Sequence, residues 1–169
     1  MKHTLAVLVL NKPGVLARIS GLLSRRHFNI ESIAASHTEE TDITRITIVA
    51  EGDDHILDQV IKQLSKLVDI LKIQELQEKE SIERELALIK VQAYPNRRSE
   101  IVDIVNIFRA NIVDVNRETM IIELTGDEQK INALCAVLVD HGIVEQVRTG
   151  KIALSRSPGA AKHLIDISE

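Results

Sequence analysis

The feature that most constrains the fold is an order of predicted elements that occurs twice along the 169-residue chain. In the first half, a continuous aliphatic run at residues 5–10 predicts a buried strand, and apolar residues at helical spacing follow over residues 14–26. The rest of this half predicts a strand at residues 29–36, a strand at 43–51, a helix capped by Asp53 and a strand at 68–76. The resulting order is β-α-β-β-α-β.

The second half repeats this order after a charged stretch. Strands are predicted at residues 86–93, 111–115, 119–125 and 143–154, and helices at residues 99–110 and 127–141. Short sequences recur as well, because Asn29-Ile30 has a counterpart in Asn111-Ile112, and Gly52-Asp53 in Gly126-Asp127. The sequence therefore predicts an α+β protein of two consecutive ferredoxin-like βαββαβ units, each a four-stranded antiparallel sheet with two helices on one face.

The charged stretch between the two halves sets the predicted domain boundaries. Residues 1–77 are predicted to form the first domain, 78–85 a linker, 86–157 the second domain and 158–169 a tail. A short helix within the linker is the alternative. Because a sheet of this kind leaves edge strands that can pair with another copy of the chain, we expect a homodimer.

The composition excludes several classes of protein. With 44% hydrophobic and 27% charged residues the chain is globular in type, and its net charge of −4 lacks the basic signature of a nucleic-acid-binding protein. The single cysteine, Cys135, excludes an intrachain disulfide. No apolar run approaches the roughly 20 residues that cross a bilayer, and the apolar run near the N-terminus is short for a signal peptide. We expect a cytoplasmic protein that binds neither nucleic acid nor membrane.

The sequence offers no recognisable catalytic or metal site. The six histidines show no metal-ligand spacing, and Cys135 lies beside Leu134 and Val137 in a predicted helix, as a core cysteine does. The motifs GxSxG, GxGxxG and GxxxxGK[ST] are absent. An RNA-recognition motif shares the element order, but its base-stacking aromatic residues are missing from the predicted strands at 5–10 and 43–51. We expect no catalytic residue, metal or cofactor in this chain.

The turn after the first strand, Asn11-Lys12-Pro13-Gly14, is a candidate binding site. The first turn of the following helix carries unpaired backbone N–H groups and the positive end of the helix dipole, which favour a carboxylate or phosphate. Gly14 lets a ligand approach the backbone. We expect Asn11 and Asn29 to be neighbours at one end of the sheet, where each offers a donor and an acceptor to an amino acid. A tight βα turn without a ligand explains the same residues, and the pattern alone does not decide between the two.

Several stretches of the chain resemble the small, regulatory subunit of acetohydroxyacid synthase, also called acetolactate synthase. They are NKPGVLARISGLLSRRHFNIESI, DITRITIV, QLSKLVDILKI, ERELALIKV, FRANIVDV and GKIALSR, and they extend from about Leu5 to Arg156. Generic ligand-binding ferredoxin-like units share only the first of these, so the combination is specific. The resemblance implies that the N-terminal unit is an ACT domain, that two such domains pair edge to edge, and that valine binds at their interface.

The resemblance also assigns roles to individual residues and to a partner. The implied valine-binding residues are Asn11, Gly14, Val15, Leu16, Asn29 and Ile30. The backbone around Gly14 would hold the carboxylate, the two asparagines the polar end of valine, and Ile30 its side chain. The implied partner is a catalytic large subunit that holds thiamine diphosphate, Mg²⁺ and FAD and condenses pyruvate with pyruvate or 2-oxobutyrate. The small subunit performs no chemistry itself, but raises that activity and makes it sensitive to valine.

Three stretches depart from the pattern of the family. Residues 34–38 read Ala-Ala-Ser-His-Thr in a loop expected close to the pocket, where they bear on valine affinity and selectivity. The tail after Arg156 lacks the usual ending. The second unit has Pro95-Asn96-Arg97-Arg98 in place of the asparagine-glycine turn, so we expect it to have a structural or partner-binding role and no valine site of the same kind.

Two other functions are open at this point. A stand-alone amino-acid sensor that regulates another protein would share the N-terminal unit, although the C-terminal motifs favour a synthase subunit. A ferredoxin-like acylphosphatase would need an anion-binding arginine in the first turn, where this chain has Asn11-Lys12-Pro13-Gly14.

Overall fold

The computed structural model of the chain describes residues 1–25, 29–157 and 164–166. The strands are β1 (Lys2–Leu10), β2 (Asn29–His37), β3 (Ile43–Glu51), β4 (Ile70–Leu76), β5 (Ser81–Gln92), β6 (Asn111–Val115), β7 (Thr119–Gly126), β8 (Ile143–Arg148), β9 (Ile152–Ser155) and β10 (Leu164–Asp166). The helices are α1 (Val15–Arg25), α2 (Asp54–Leu64), α3 (Arg98–Phe108) and α4 (Glu128–Leu138), with short 3₁₀ helices at Glu78–Glu80 and Val139–His141. Two βαββαβ units follow one another, which confirms the predicted fold class.

The N-terminal unit is built on an antiparallel sheet with the strand order β10-β4-β1-β3-β2. Alternate residues of β1 point to the face that α1 and α2 cover, because side chains alternate along a strand. Leu5, Val7 and Val9 are buried there. The largest fully buried side chains of this core are Leu5, Ile19, Leu23, Ile46, Ile48, Leu57, Leu64, Ile70 and Ile73.

The C-terminal unit is an antiparallel sheet with the strand order β6-β7-β5-β8. Its core follows the same alternation along β5, where Ala87, Ile89 and Val91 are buried. Cys135 of α4 is partly buried and packs against this core, as its sequence neighbours predict.

Aspartate caps open the second helix of each unit, as the repeat predicts. The Asp53 Oδ1 atom accepts a hydrogen bond from the Ile56 N–H at 2.7 Å, and Asp127 Oδ1 accepts one from the Lys130 N–H at 2.8 Å. Each cap satisfies one of the backbone donors that have no partner within the helix. The two units therefore share local chemistry as well as topology.

The predicted linker at residues 78–85 is wrong for its second half. Only Glu78–Glu80 lies outside a strand, as a single 3₁₀ turn, whereas Ser81 to Glu85 form the start of β5. The charge of this stretch suggested solvent exposure, but Glu85 is buried and its Oε1 atom lies 3.2 Å from Arg148 Nη1. A buried carboxylate is tolerated in a strand when a cation is paired with it.

The predicted final strand at residues 143–154 is two strands, because Gly150 interrupts it. Gly150 has φ +81°, a left-handed conformation that ends strand pairing and that glycine adopts without strain. Contacts between residues group Met1–Ile82 with the described residues from Lys151 onward, and Glu83–Gly150 as the second unit. The predicted second domain, at 86–157, therefore extends too far at its C-terminal end.

The described part of the predicted tail adds a strand to the N-terminal sheet. Strand β10 pairs with the outer edge of β4, with Ile165 opposite Ile73. Ala153 of β9 is buried against Ala6 and Leu76, and its carbonyl accepts a hydrogen bond from Arg45 Nη2 at 2.8 Å. With β10 at one edge of this sheet, β2 is the outer strand at the other edge.

Candidate functional site

The β1–α1 turn is held from two sides by backbone hydrogen bonds. The Asn11 N–H donates to the Asp42 carbonyl, just before β3, at 2.8 Å. The Leu10 N–H donates to the Asp69 carbonyl, just before β4, also at 2.8 Å. These bonds place the turn against the two connections that lie at this end of the sheet.

Gly14 is required by the backbone of the turn. Its φ is +83°, in the left-handed region where a residue with a Cβ atom is strained. A Cβ atom built on Gly14 would meet no heavy atom within 4 Å, so the space above it is open. Gly14 as a binding residue stays a prediction, and its positive φ gives a conformational reason for glycine here that the sequence did not reveal.

The first residues of α1 present free backbone donors. The helix begins at Val15, and the Arg18 N–H donates to the Gly14 carbonyl at 3.0 Å. The Val15 N–H makes a long hydrogen bond of 3.4 Å to the Lys12 carbonyl. Within the described ranges, the amides of Gly14 and Leu16 have no hydrogen-bond partner. This is the donor arrangement that binds a carboxylate at a helix start.

The side chains of Val15 and Leu16 have different surroundings. Val15 is 4% exposed and belongs to the core, so only its backbone is accessible to a ligand. Leu16 is 45% exposed. An apolar side chain is therefore available beside the free amides.

A buried carboxylate that sequence analysis missed lies beside the turn. Asp69 is 6% exposed, and its Oδ1 and Oδ2 atoms lie 3.3 Å from Lys12 Nζ and 2.8 Å from Arg18 Nη2. Two cations against one carboxylate leave the start of α1 with a net positive charge. Asp69 is far from the turn in sequence, so no local pattern could have identified it.

The prediction that Asn11 and Asn29 are neighbours within one chain is wrong. Asn29 is opposite Glu51 on β3, which is itself opposite Lys2 at the start of β1. Asn11 follows Leu10 at the far end of β1, about 30 Å away at ~3.3 Å per strand residue. The reason is topological: α1 carries the chain back along the sheet, so β2 starts at the end where β1 started.

Ile30 lies with Asn29 at this far end of the sheet. It is opposite Ala50 and packs in part against the helix-covered core. Of residues 34–38, predicted as a loop close to the pocket, 34–37 belong to β2. His37, at the end of β2, is opposite Thr44 and therefore lies at the same end of the sheet as Asn11.

In the part of the chain that the structure describes, no group of three or more histidine, cysteine, aspartate or glutamate side chains is placed to hold a metal ion. None of the described helices combines the length and the apolar character needed to cross a membrane.

Comparison with known proteins agrees with this architecture. A family model described as an AHAS small subunit-like ACT domain matches residues 5–72, and one described as the small subunit of acetolactate synthase matches residues 84–157. The first match and the fold define the class, a protein with an N-terminal ACT domain and a second ferredoxin-like unit.

Whole-chain relatives identify the family. A probable acetolactate synthase small subunit from Archaeoglobus fulgidus is 57% identical over 156 residues, which are 92% of this chain and 98% of that protein. The acetolactate synthase small subunit from Mycolicibacterium smegmatis is 51% identical over 163 residues, 95% of this chain and 96% of that protein. The crystal structure of the acetolactate synthase small subunit from Thermotoga maritima matches with a TM-score of 0.87 and 39% identity, over 94% of this chain and 99% of that chain. The chain belongs to the acetolactate synthase small-subunit family.

Proposed function

We propose that this chain is the regulatory subunit of an acetolactate synthase and that it binds valine between the ACT domains of two copies. The observation that carries the proposal is the position of Asn11 and Asn29 at opposite ends of the N-terminal sheet. A single valine is far too small to reach both residues within one chain. A site that uses both asparagines needs a second copy.

Pairing of two β2 strands meets this requirement. Strand β2 is the outer strand of its sheet, whereas β10 covers the β4 side. Antiparallel pairing about a two-fold axis sets the start of one β2 beside the end of the other. The Asn29 side chain of each copy then comes to the end of the sheet where the Asn11 side chain of the other copy lies. The same interface produces two equivalent sites.

The groups at the turn suit an amino acid with an apolar side chain. The amides of Gly14 and Leu16 and the net positive charge of the Lys12, Arg18 and Asp69 cluster favour the carboxylate. The two asparagines supply acceptors for the ammonium group. The exposed side chain of Leu16 and, from the other copy, Ile30 offer apolar contact to the isopropyl group.

The chemical reaction belongs to a partner in this proposal. A small subunit implies a catalytic large subunit, which would hold thiamine diphosphate, Mg²⁺ and FAD and condense pyruvate with pyruvate or 2-oxobutyrate. This chain would raise that activity, and valine would reverse the effect by binding one arrangement of the two copies better than another. A coupling of about 1–3 kcal/mol between the two sites is typical of such regulation.

Two variants of Gly14 test whether the β1–α1 turn is the valine site. Gly14→Asp places a carboxylate in the open space above the turn, whereas Gly14→Asn adds a side chain of the same shape without charge, and both residues tolerate a positive φ. We expect the aspartate variant to abolish inhibition of the reconstituted holoenzyme by valine and the asparagine variant to retain more of it. Both should still associate with the catalytic subunit. If both variants stay as valine-sensitive as the parent, the turn is not the effector site.

Copurification separates this proposal from a stand-alone sensor. A regulatory subunit should copurify with a thiamine-diphosphate-dependent enzyme and change its activity. The match of residues 84–157 to the small-subunit family supports this outcome, because a generic ACT sensor has no need of that unit. Binding of valine without any such partner would favour the sensor.

A further inference from the structure

The C-terminal unit has a cavity at the position that corresponds to the β1–α1 turn of the N-terminal unit. It is a shallow cavity, widely open to solvent, with a volume of about 530 Å³, and it is lined by Pro95, Arg98, Val115, Asn116 and Arg117. The turn before α3 rests on the β6–β7 hairpin, since the Ala93 N–H donates to the Glu118 carbonyl at 2.7 Å. In the first unit, the backbone N–H of Asn11 makes the equivalent hydrogen bond to the backbone carbonyl of Asp42. The repeat has therefore placed a cavity of different chemistry at an equivalent site.

Arg98 is fixed in this cavity by neutral acceptors. Its Nε donates to the Ala93 carbonyl at 2.9 Å, and its Nη2 donates to the carbonyls of Asn116 and Arg117 at 2.5 and 2.7 Å. Three carbonyls orient the guanidinium but do not neutralise its charge. Within the described residues, Nη1 has no hydrogen-bond partner, so one edge of the guanidinium can still donate.

Arg117 supplies a second guanidinium to the same cavity. Its side chain is exposed, and within the described residues this side chain forms no ion pair and no hydrogen bond. The hairpin that carries it is ordered by Asn116, whose Nδ2 donates to Thr119 Oγ1 at 2.7 Å and whose Oδ1 accepts the Thr119 N–H at 2.9 Å. None of the five lining residues is acidic. Two like charges beside one cavity repel each other until an anion lies between them.

We propose that this cavity binds the oxyanion of a small organic molecule, a phosphate or a carboxylate group. Arg98 would donate through Nη1, and Arg117 through its guanidinium fork, which can bind an oxyanion by two parallel hydrogen bonds. Pro95 and the half-exposed Val115 offer apolar contact to the carbon skeleton. An amino acid fits poorly, because Asn116 Oδ1 already accepts two backbone N–H groups and no other lining side chain can accept from an ammonium.

Calorimetric titration of the full chain with inorganic phosphate and, separately, with succinate tests the proposal at constant ionic strength. We expect saturable binding of one anion per chain at this cavity, and the tighter of the two probes identifies the oxyanion class. Arg117→Gln should weaken binding about tenfold, the value of losing a charge-assisted hydrogen bond. Arg84→Gln makes the same charge change at an exposed arginine of the same unit outside the cavity and should leave binding unchanged.

Three results would overturn the proposal. The first is the absence of saturable binding. The second is an equal loss in Arg117→Gln and Arg84→Gln, which would mean general attraction of an adventitious ion only. The third is loss of the binding in Gly14→Asp, which would assign the anion to the N-terminal turn. Arg98→Lys is a second test that does not depend on Arg117. Lysine keeps the charge but cannot make the three hydrogen bonds to carbonyls, so this variant should also bind the anion more weakly.

Discussion

The Asp69 carboxylate lies 2.8 Å from Arg18 Nη2 and 3.3 Å from Lys12 Nζ, so a residue just before β4 holds both cations beside the β1–α1 turn. The Asp69 carbonyl also accepts the Leu10 N–H at the end of β1. One residue therefore ties the turn and the first helix to the start of β4, the strand paired with β1. The shape and the charge of the candidate valine site both depend on it.

Asp69→Asn should loosen the turn. The buried side chain would keep its shape but lose the charge that pairs with Lys12 and Arg18. Because both cations are more than half exposed, solvent screening limits the expected loss of stability to roughly 1–2 kcal/mol. We expect valine binding to weaken as well, because Lys12 and Arg18 lose the carboxylate that holds them beside the turn. Urea unfolding and calorimetry check the two effects against Asp103→Asn, an exposed residue of α3. A variant indistinguishable from that control would rule out the role of Asp69.

Replacing Gly14 and Gly21 by alanine should change the free energy of unfolding in opposite directions. Gly14→Ala forces a Cβ onto a backbone with φ +83° and should cost about 1 kcal/mol of stability. Gly21 lies within α1, has no positive φ, and a Cβ there meets no atom within 4 Å. Gly21→Ala should therefore stabilise the protein by about 0.5–1 kcal/mol through helix propensity. The free energies of unfolding in urea measure both, and a stabilising Gly14→Ala would contradict the conformation of the turn.

The two aspartate caps should contribute similar amounts of stability, because each accepts a backbone hydrogen bond at the start of the second helix of its unit. Asp53→Ala and Asp127→Ala each leave one backbone donor of a helix without its acceptor. Each should cost about 1 kcal/mol. Thermal or urea unfolding of the two variants, with Asp103→Ala as the exposed control, makes the comparison. If only one of the two variants lost stability, the equivalent caps of the two units would not contribute equally to folding.

Local patterns predicted the fold well. Apolar spacing located both βαββαβ units, and Asp53 and Asp127 marked the starts of two helices, because caps and periodicity depend on nearby residues. The charged start of β5 was mistaken for a linker, since the pairing of Glu85 with Arg148 joins residues far apart in sequence. Asp69 was missed for the same reason.

The residue types of the candidate site stay a prediction, whereas the predicted placement of its two asparagines within one chain was wrong. Gly14 and the residues beside it were identified from the βα turn, which is local. The placement of Asn29 beside Asn11 was wrong because it ignored the direction in which α1 returns the chain. Sequence spacing does not show whether two polar residues meet within one chain or across two.

Mixing Asn11→Ala with Asn29→Ala tests the central claim most directly. In a mixed dimer, one site has lost both asparagines and the other has lost neither. Each variant alone should lose valine binding, whereas a co-refolded mixture should regain about one quarter of the wild-type sites at wild-type affinity, since about half of the dimers are mixed and each has one intact site. Calorimetric titration with valine gives the number of sites and the affinity. Recovery would place the effector between two copies, and a mixture that binds no better than the separate variants would contradict a shared site.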